Sequence, residues 1–285
     1  MSINIQVNKM TDEEFKLLSE FILEITGLYY PESKKYIIEG RLSKFVQNLG
    51  FNNFKDYYYY LKYDVKKNEE IKKIIEELTT NETYFFREIN QIIALRDEIF
   101  MPMLNEKKKS FAIDKRIKIW SAACSSGEEP YTIAMLLNET NSPEIKNNFT
   151  IYATDISNEM IAKAKKGVYR DFSFRSTEQK YLEKYFIKVS EGYKIKDEIQ
   201  KYVTFEIVNF LDKVKMNSLK NFDIIFCRNA LIYFNEKTKK EVIDSFYNSL
   251  NKNGIFFLGH SESLFRISTA FELVQFKNAL GYIKK

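Results

Sequence analysis

The hydrophobic period changes once along the chain, near residue 115, and that change limits the possible folds more than any other feature. Before it, apolar residues recur only at helical spacing. Thr11-Asp12-Glu13-Glu14 offers a capping box, followed by Phe15, Leu18, Phe21, Ile22 and Ile25 on one face. A second helix is predicted with Ile38, Leu42, Phe45 and Leu49 buried and Gly50 near its end. Third and fourth helices are predicted over 53–63 and 68–78. After residue 115, short β-rich runs alternate with helical ones. Strands are expected at 117–120, 149–154, 203–208, 222–227 and 254–258, with helices at 129–138, 158–165 and 237–250. Such alternation requires crossover connections, hence a mainly parallel sheet covered on both faces. Two last runs, 271–276 and 280–283, read as an antiparallel edge hairpin. Gly192-Tyr193, between β-like stretches at 185–189 and 193–196, marks a small inserted antiparallel β-subdomain at about 168–202. The expected layout is an N-terminal helical domain over 1–80, a linker and connecting helix over 81–114, and an α/β domain over 115–285.

Composition narrows the chemistry. The 285 residues include two cysteines, Cys124 and Cys227, and one histidine, His260. That excludes a disulfide framework and most Cys- or His-based metal sites, so no metal is expected. Cys227 reads as a small core residue, and His260 as structural. Residues 1–80 are close to neutral, so the net charge of +5 rests on the remainder, too diffusely to announce nucleic acid. The opening MSINIQVNKMTDEEF has neither the basic nor the apolar region of a secretory leader, and no apolar run approaches the ~18 residues of a membrane span. A soluble, cytoplasmic, monomeric chain is expected.

In an open α/β sheet, ligands bind beyond the carboxyl ends of the strands. Four segments lie there. Ser121 to Tyr131, with Gly127 at the turn and Glu128-Glu129 opening the helix, lacks the glycine pattern of a pyrophosphate loop. Its two carboxylates suit a cationic ligand, or else they cap the helix. Asp155 ends the run FTIYAT, where an acid accepts both hydroxyls of a ribose, or caps the following helix with Ser157 as the rival cap. Asn209-Phe210 follows VTFEIV: an amide able to read an adenine edge and a ring able to lie on a base, or a turn residue and a core Phe. Arg228-Asn229 end the run FDIIFC, with Tyr233 a few residues on. A charged pair there is hard to explain by packing. Outside the sheet, Thr79 to Glu88 either pins a linker or brings Asn81, Thr83 and Arg87 to the strand tips.

Together, NETYFFRE, WSAACSSGEEPYTIA, ATDIS, GVY, VNF, FDIIFCRNALIYF and LGHSES, in that order over residues 79–263, resemble the CheR-type chemotaxis receptor methyltransferases. The resemblance implies an S-adenosylmethionine-dependent methyltransferase fold with a helical N-terminal domain and an inserted β-subdomain. It implies methylation of glutamate side chains on methyl-accepting chemotaxis receptors, with S-adenosylhomocysteine as product. Carried over by position, cofactor contacts fall on Asn81, Thr83, Arg87, Glu129, Asp155, Asn209, Phe210, Arg228 and Asn229. Arg87 and Tyr233 correspond to residues at the methyl-transfer centre. A glutamate, with a pKa of about 4.3, is already ionised at neutral pH and needs no general base.

The implied partners are the glutamate-rich cytoplasmic helices of those receptors. Lys34, Arg41 and Lys44 lie on one flank of the second helix, either docking such a helix or forming a solvated face. Some relatives tether a receptor tail through a glycine-rich hairpin loop. Here the loop Val189 to Tyr193 is short with one glycine, so weak or absent tethering is expected. The rival readings are methylation of another protein or a small molecule, and a non-catalytic cofactor-binding sensor.

Overall fold

A computed structural model describes residues 7–111, 113–140 and 142–285. Residues 1–6 of the expected helical domain lie outside these. The chain forms two compact units. One gathers residues up to Thr80 together with Tyr233–Thr238, and the other comprises Asn81–Ile232 and Lys239–Lys285.

The first unit is helical: α1 (Asp12–Thr26), α2 (Lys35–Asn48), α3 (Phe54–Tyr63) and α4 (Lys67–Leu78). The capping box forms as the sequence predicts, and Gly27, at φ 79°, closes α1 in the left-handed region. Glu14 also turns inward to accept the amides of Phe54 and Lys55, so the cap of α1 holds the start of α3. On α2 the buried face is Ile38, Leu42 and Val46, while Phe45 lies at its margin and Leu49 is exposed. The i, i+4 row thus wins over the stripe expected through Phe45 and Leu49. Arg41 donates to the carbonyls of Glu77 and Leu78 at 3.0 and 2.9 Å, satisfying the otherwise unpaired end of α4. Lys44 pairs with Glu77.

The second unit begins with α5 (Asn90–Ala94) and α6 (Phe100–Lys109), joined by a π-helical turn over Leu95–Ile99. Then come β1 (Ile117–Ala122), α7 (Glu128–Asn138), α8 (Pro143–Lys146), β2 (Phe149–Asp155), α9 (Asn158–Lys166) and β3 (Val168–Tyr169). They are followed by α10 (Gln179–Tyr185), β4 (Phe186–Val189), β5 (Gly192–Ile195), α11 (Asp197–Gln200), β6 (Val203–Ile207), α12 (Lys213–Ser218) and β7 (Phe222–Cys227). The run closes with α13 (Glu236–Ser249), β8 (Leu250–Leu258), β9 (Phe271–Gln275) and β10 (Leu280–Lys284). The main sheet has the order β6-β2-β1-β7-β8-β10-β9, and β3-β5-β4 form a separate small sheet. Strands β6 to β8 pair in parallel, and β10 and β9 add the antiparallel edge. This is the S-adenosylmethionine methyltransferase architecture expected, with its inserted antiparallel sheet and helical N-terminal domain. The insert gains a third strand, β3, which the two-strand hairpin reading did not contain.

The central strands β1 and β7 lie almost wholly buried on both faces, as their continuous apolar runs require, whereas the edge strand β6 buries only Phe205. All six residues of β7 are buried, Cys227 among them. Burial pushes the Cys227 and Cys124 thiols well up, so both stay protonated core groups. Among the described residues no helix is long and apolar enough to cross a membrane.

Candidate active site

Successive strands run outward from β1 on one side, through β2 to β6, and from β7 on the other. The order therefore reverses between β1 and β7, and in sheets of this kind the ligand crevice lies beyond the carboxyl ends of those strands. Each strand delivers one group to it. Strand β1 ends at Ser121-Ala122, β2 at Asp155, and β7 passes directly into Arg228-Asn229.

The β1–α7 turn is tightly held. Gly127, at φ 94°, precedes α7 without any side-chain cap. A Cβ there would stand 2.9 Å from Ala164 Cβ, so only glycine lets α7 approach α9 this closely. The acidic pair does not cap the helix. Glu128, fully buried, accepts the hydroxyls of Ser126 and Ser173, and burial pushes its carboxyl upward. Glu129 accepts the Ser121 hydroxyl at 2.7 Å and faces Arg228 Nε at 3.4 Å. Burial raises its carboxyl too, against the opposing pull of Arg228.

Asp155 is buried. Its two oxygens accept the amides of Ser125 (2.7 Å) and Ser157 (3.0 Å). Ser157, not Asp155, caps α9 through Met160. Ser125 and Ala123 both take positive φ, 48° and 59°, so the Asp155 bond holds Ser125 in a backbone state that L residues seldom adopt. Asn209 Oδ1 accepts the amide of Leu211, and the half-buried Phe210 ring packs edge-on against Trp120 and Phe246.

Arg228 is the hub. Its side chain is 2% exposed, and Nη2 donates to the carbonyl of Arg87 at 2.6 Å with Glu88 Oε2 at 3.7 Å. Glu88 in turn accepts Asn229 Nδ2 and the backbone amide of His260. Arg228 and these donors together outweigh burial and hold the Glu88 carboxyl below the usual range. Phe86, Glu88 and Asn229 all sit at positive φ, so strain gathers in the two segments that meet here. Arg87 itself is half-buried. Its Nη1 donates to Glu82 O at 2.6 Å, and its guanidinium lies 5.7 Å from the Tyr84 ring centre. Asn81 and Thr83 lie half-buried on the same segment.

The sequence reading missed Glu88 and Glu262. Glu262 accepts the amides of Asn229, Gly259 and Ile232, which pins the loop after β7. Both belong to motif runs, NETYFFRE and LGHSES, that were visible without their partners being so. Tyr233 clusters with the helical unit, where its carbonyl accepts the amide of Tyr29. Lys34 is exposed at the start of α2.

The crevice can be tested for an S-adenosylmethionine-like ligand. Arg228 Nε and Nη1 and Ser125 Oγ are buried without hydrogen-bond partners within the chain. Buried polar atoms of this kind call for a partner. A ligand bearing a carboxylate, hydroxyls and a cationic centre matches those donors and the surrounding Glu88, Glu129 and Asp155.

Comparison with known proteins agrees with this geometry. Residues 81–280 match the family model described as CheR methyltransferase, SAM binding domain, and residues 13–79 match the CheR methyltransferase all-alpha domain. Among curated proteins, Chemotaxis protein methyltransferase 2 of Vibrio cholerae is 35% identical over 96% of this chain and 94% of its own. Chemotaxis protein methyltransferase of Borreliella burgdorferi is 37% identical over 92% and 91%. That of Escherichia coli is 32% identical over 93% and 89%.

Proposed function

The chain belongs to the CheR methyltransferase family, and from that premise we propose that it esterifies glutamate side chains of methyl-accepting chemotaxis receptors. S-adenosylmethionine, when bound, supplies an electrophilic methyl group on a sulfonium centre. Every other requirement falls on the chain. The observation that carries the reading is the buried Arg228, whose Nη1 has no partner in the chain and whose Nε meets Glu129 only at 3.4 Å, set among carboxylates near the strand tips.

Arg228 would hold the carboxylate end of the ligand, with Glu129 keeping the guanidinium turned toward it. Asp155 would accept ribose hydroxyls, and Asn209 with Phe210 would border the base. Asn81, Thr83 and Asn229 would complete the polar wall. Arg87 would orient a carboxylate by charge and planar geometry. Tyr233 is given its place beside the methyl group on the family resemblance alone. A receptor glutamate arrives ionised, so placement in line is the main demand.

For the receptor we propose the α2 flank. Lys34 and Lys44 face solvent there, and Arg41 stiffens the flank through its bonds to the end of α4. A glutamate-rich helix suits that charge.

The deciding experiment incubates the chain with tritiated S-adenosylmethionine and receptor cytoplasmic fragments. Base-labile label on glutamate is expected. Label confined to other acceptors, or cofactor binding with no transfer, would overturn the proposal.

A further inference from the structure

Within the insert, β3 is followed by a 3-10 turn, Asp171–Phe174, and then by Arg175. This turn reaches both halves of the site in the second unit. The carbonyl of Ser173 accepts the amide of Phe85 at 2.9 Å, and its hydroxyl donates to the buried Glu128 at 3.0 Å. Arg175 is placed more specifically still. Its guanidinium lies between two aromatic rings, 3.6 Å from the centre of Tyr84 and 4.0 Å from that of Phe172. Nη1 donates to Phe172 O, and Nη2 donates to Glu82 Oε1 at 3.2 Å.

Glu82 and Tyr84 are the two residues that hold Arg87, through the Glu82 carbonyl and the Tyr84 ring. Arg175 grips both of them by other atoms. It clamps the Glu82 side chain, while the Glu82 carbonyl is left to Arg87. It covers the Tyr84 ring, whose centre lies 5.7 Å from the Arg87 guanidinium.

We infer that Arg175 is a positioning residue for Arg87, acting through Glu82 and Tyr84. The inserted β-subdomain thereby sets where the substrate-orienting guanidinium points. Lysine cannot take over the role, because a compact ammonium does not stack between two rings while donating in two directions. This assignment rests on the function proposed above only for what Arg87 does. The placement of Arg87 can be tested without that function.

Arg175→Ala and Arg175→Lys are compared with Arg87→Ala and with the double variant Arg87→Ala/Arg175→Ala. In the Arg175 variants the Arg87 side-chain Nε–H resonance, identified by its loss in Arg87→Ala, should move toward the free-arginine position or broaden. An unmoved resonance overturns the assignment whether or not the chain methylates anything. With receptor fragment as acceptor, Arg175→Ala should lower kcat/KM about tenfold, as expected for a small misplacement of an orienting group. Calorimetric affinity for S-adenosylhomocysteine should hold within about twofold, since the affected group is not the buried hub. In the Arg87→Ala background the same change should cost nothing further. An equal loss in both backgrounds would make Arg175 a purely structural residue and overturn the assignment. Absence of transfer by the unaltered chain would instead count against the proposed function, leaving the resonance to decide the positioning.

Discussion

Arg228 Nη2 donates to the backbone carbonyl of Arg87 at 2.6 Å, although 141 positions separate the two residues. One arginine therefore sets the backbone that carries the other. The bond joins the tip of β7 to the segment that precedes α5. The same guanidinium stands between Glu88 and Glu129, so three parts of the second unit meet at a single buried cation.

Removing that cation leaves two carboxylates facing each other with little water. Arg228→Met is expected to destabilise the second unit by about 3–5 kcal/mol, the usual consequence of breaking a buried ion pair on one side. Arg228→Lys should recover only part, because one ammonium cannot serve Arg87 O, Glu88 and Glu129 in their separate directions. Urea unfolding of both variants checks this. Full stability in Arg228→Met would show that the carboxylates relax or protonate at no cost.

Asp155→Ala removes two acceptors at once. Ser125, at φ 48°, loses the bond that holds its backbone. Affinity for S-adenosylhomocysteine should fall at least about tenfold, the scale of one lost charge-assisted hydrogen bond. Circular dichroism should report the fold retained. Unchanged calorimetric affinity would remove Asp155 from the nucleoside.

Glu128 gives the protein a predictable pH dependence. Burial lifts its folded carboxyl above the ordinary 4.5, so the folded chain binds this proton more firmly than the unfolded chain. The group's ionisation therefore costs nothing at pH below 4.5, and the cost grows as pH rises through the raised folded value. Glu128→Gln keeps the size; its carbonyl oxygen accepts from one of the Ser126 and Ser173 hydroxyls while its amide donates to the other. Its unfolding free energy should lose less between acid and neutral pH than that of the parent. Parallel pH profiles would show that Glu128 is not ionised at a cost.

The hairpin of the insert turns through only Ser190 and Glu191, with Val189 paired to Gly192. Gly192, at φ 139°, is closely approached by the β3 backbone: a Cβ there would lie 2.2 Å from the carbonyl oxygen of Tyr169. The turn is short and its glycine is already used inside the sheet. A receptor tail pentapeptide should show no heat of binding at millimolar concentration, where Kd of about 1 mM corresponds to about 4 kcal/mol. Appreciable binding would mean that the edge of the small sheet suffices for tethering.

What could be read from the sequence was whatever local spacing dictates. Alternation after residue 115 called for a parallel sheet, and a parallel sheet puts its ligand groups at strand ends. Asp155, Arg228 and Asn229 were therefore legible as site candidates from position alone. The helical N-terminal unit and the Thr11–Glu14 cap were legible for the same reason, since a capping box spans only four consecutive residues. Tertiary structure decided which groups face one another. The pairing of Arg228 with Glu88, the three amides gathered by Glu262, and the use of Arg41 to close α4 all join residues distant in sequence. It also moved the buried edge of α2 from Phe45 and Leu49 to Val46, and placed Tyr233 with the helical unit. Periodicity specifies the face an element buries, to within about one residue, and nothing about what is packed against it. The partners of a buried charge follow only once the chain has closed on itself, because desolvation makes those pairings obligatory and sequence spacing has no part in choosing them.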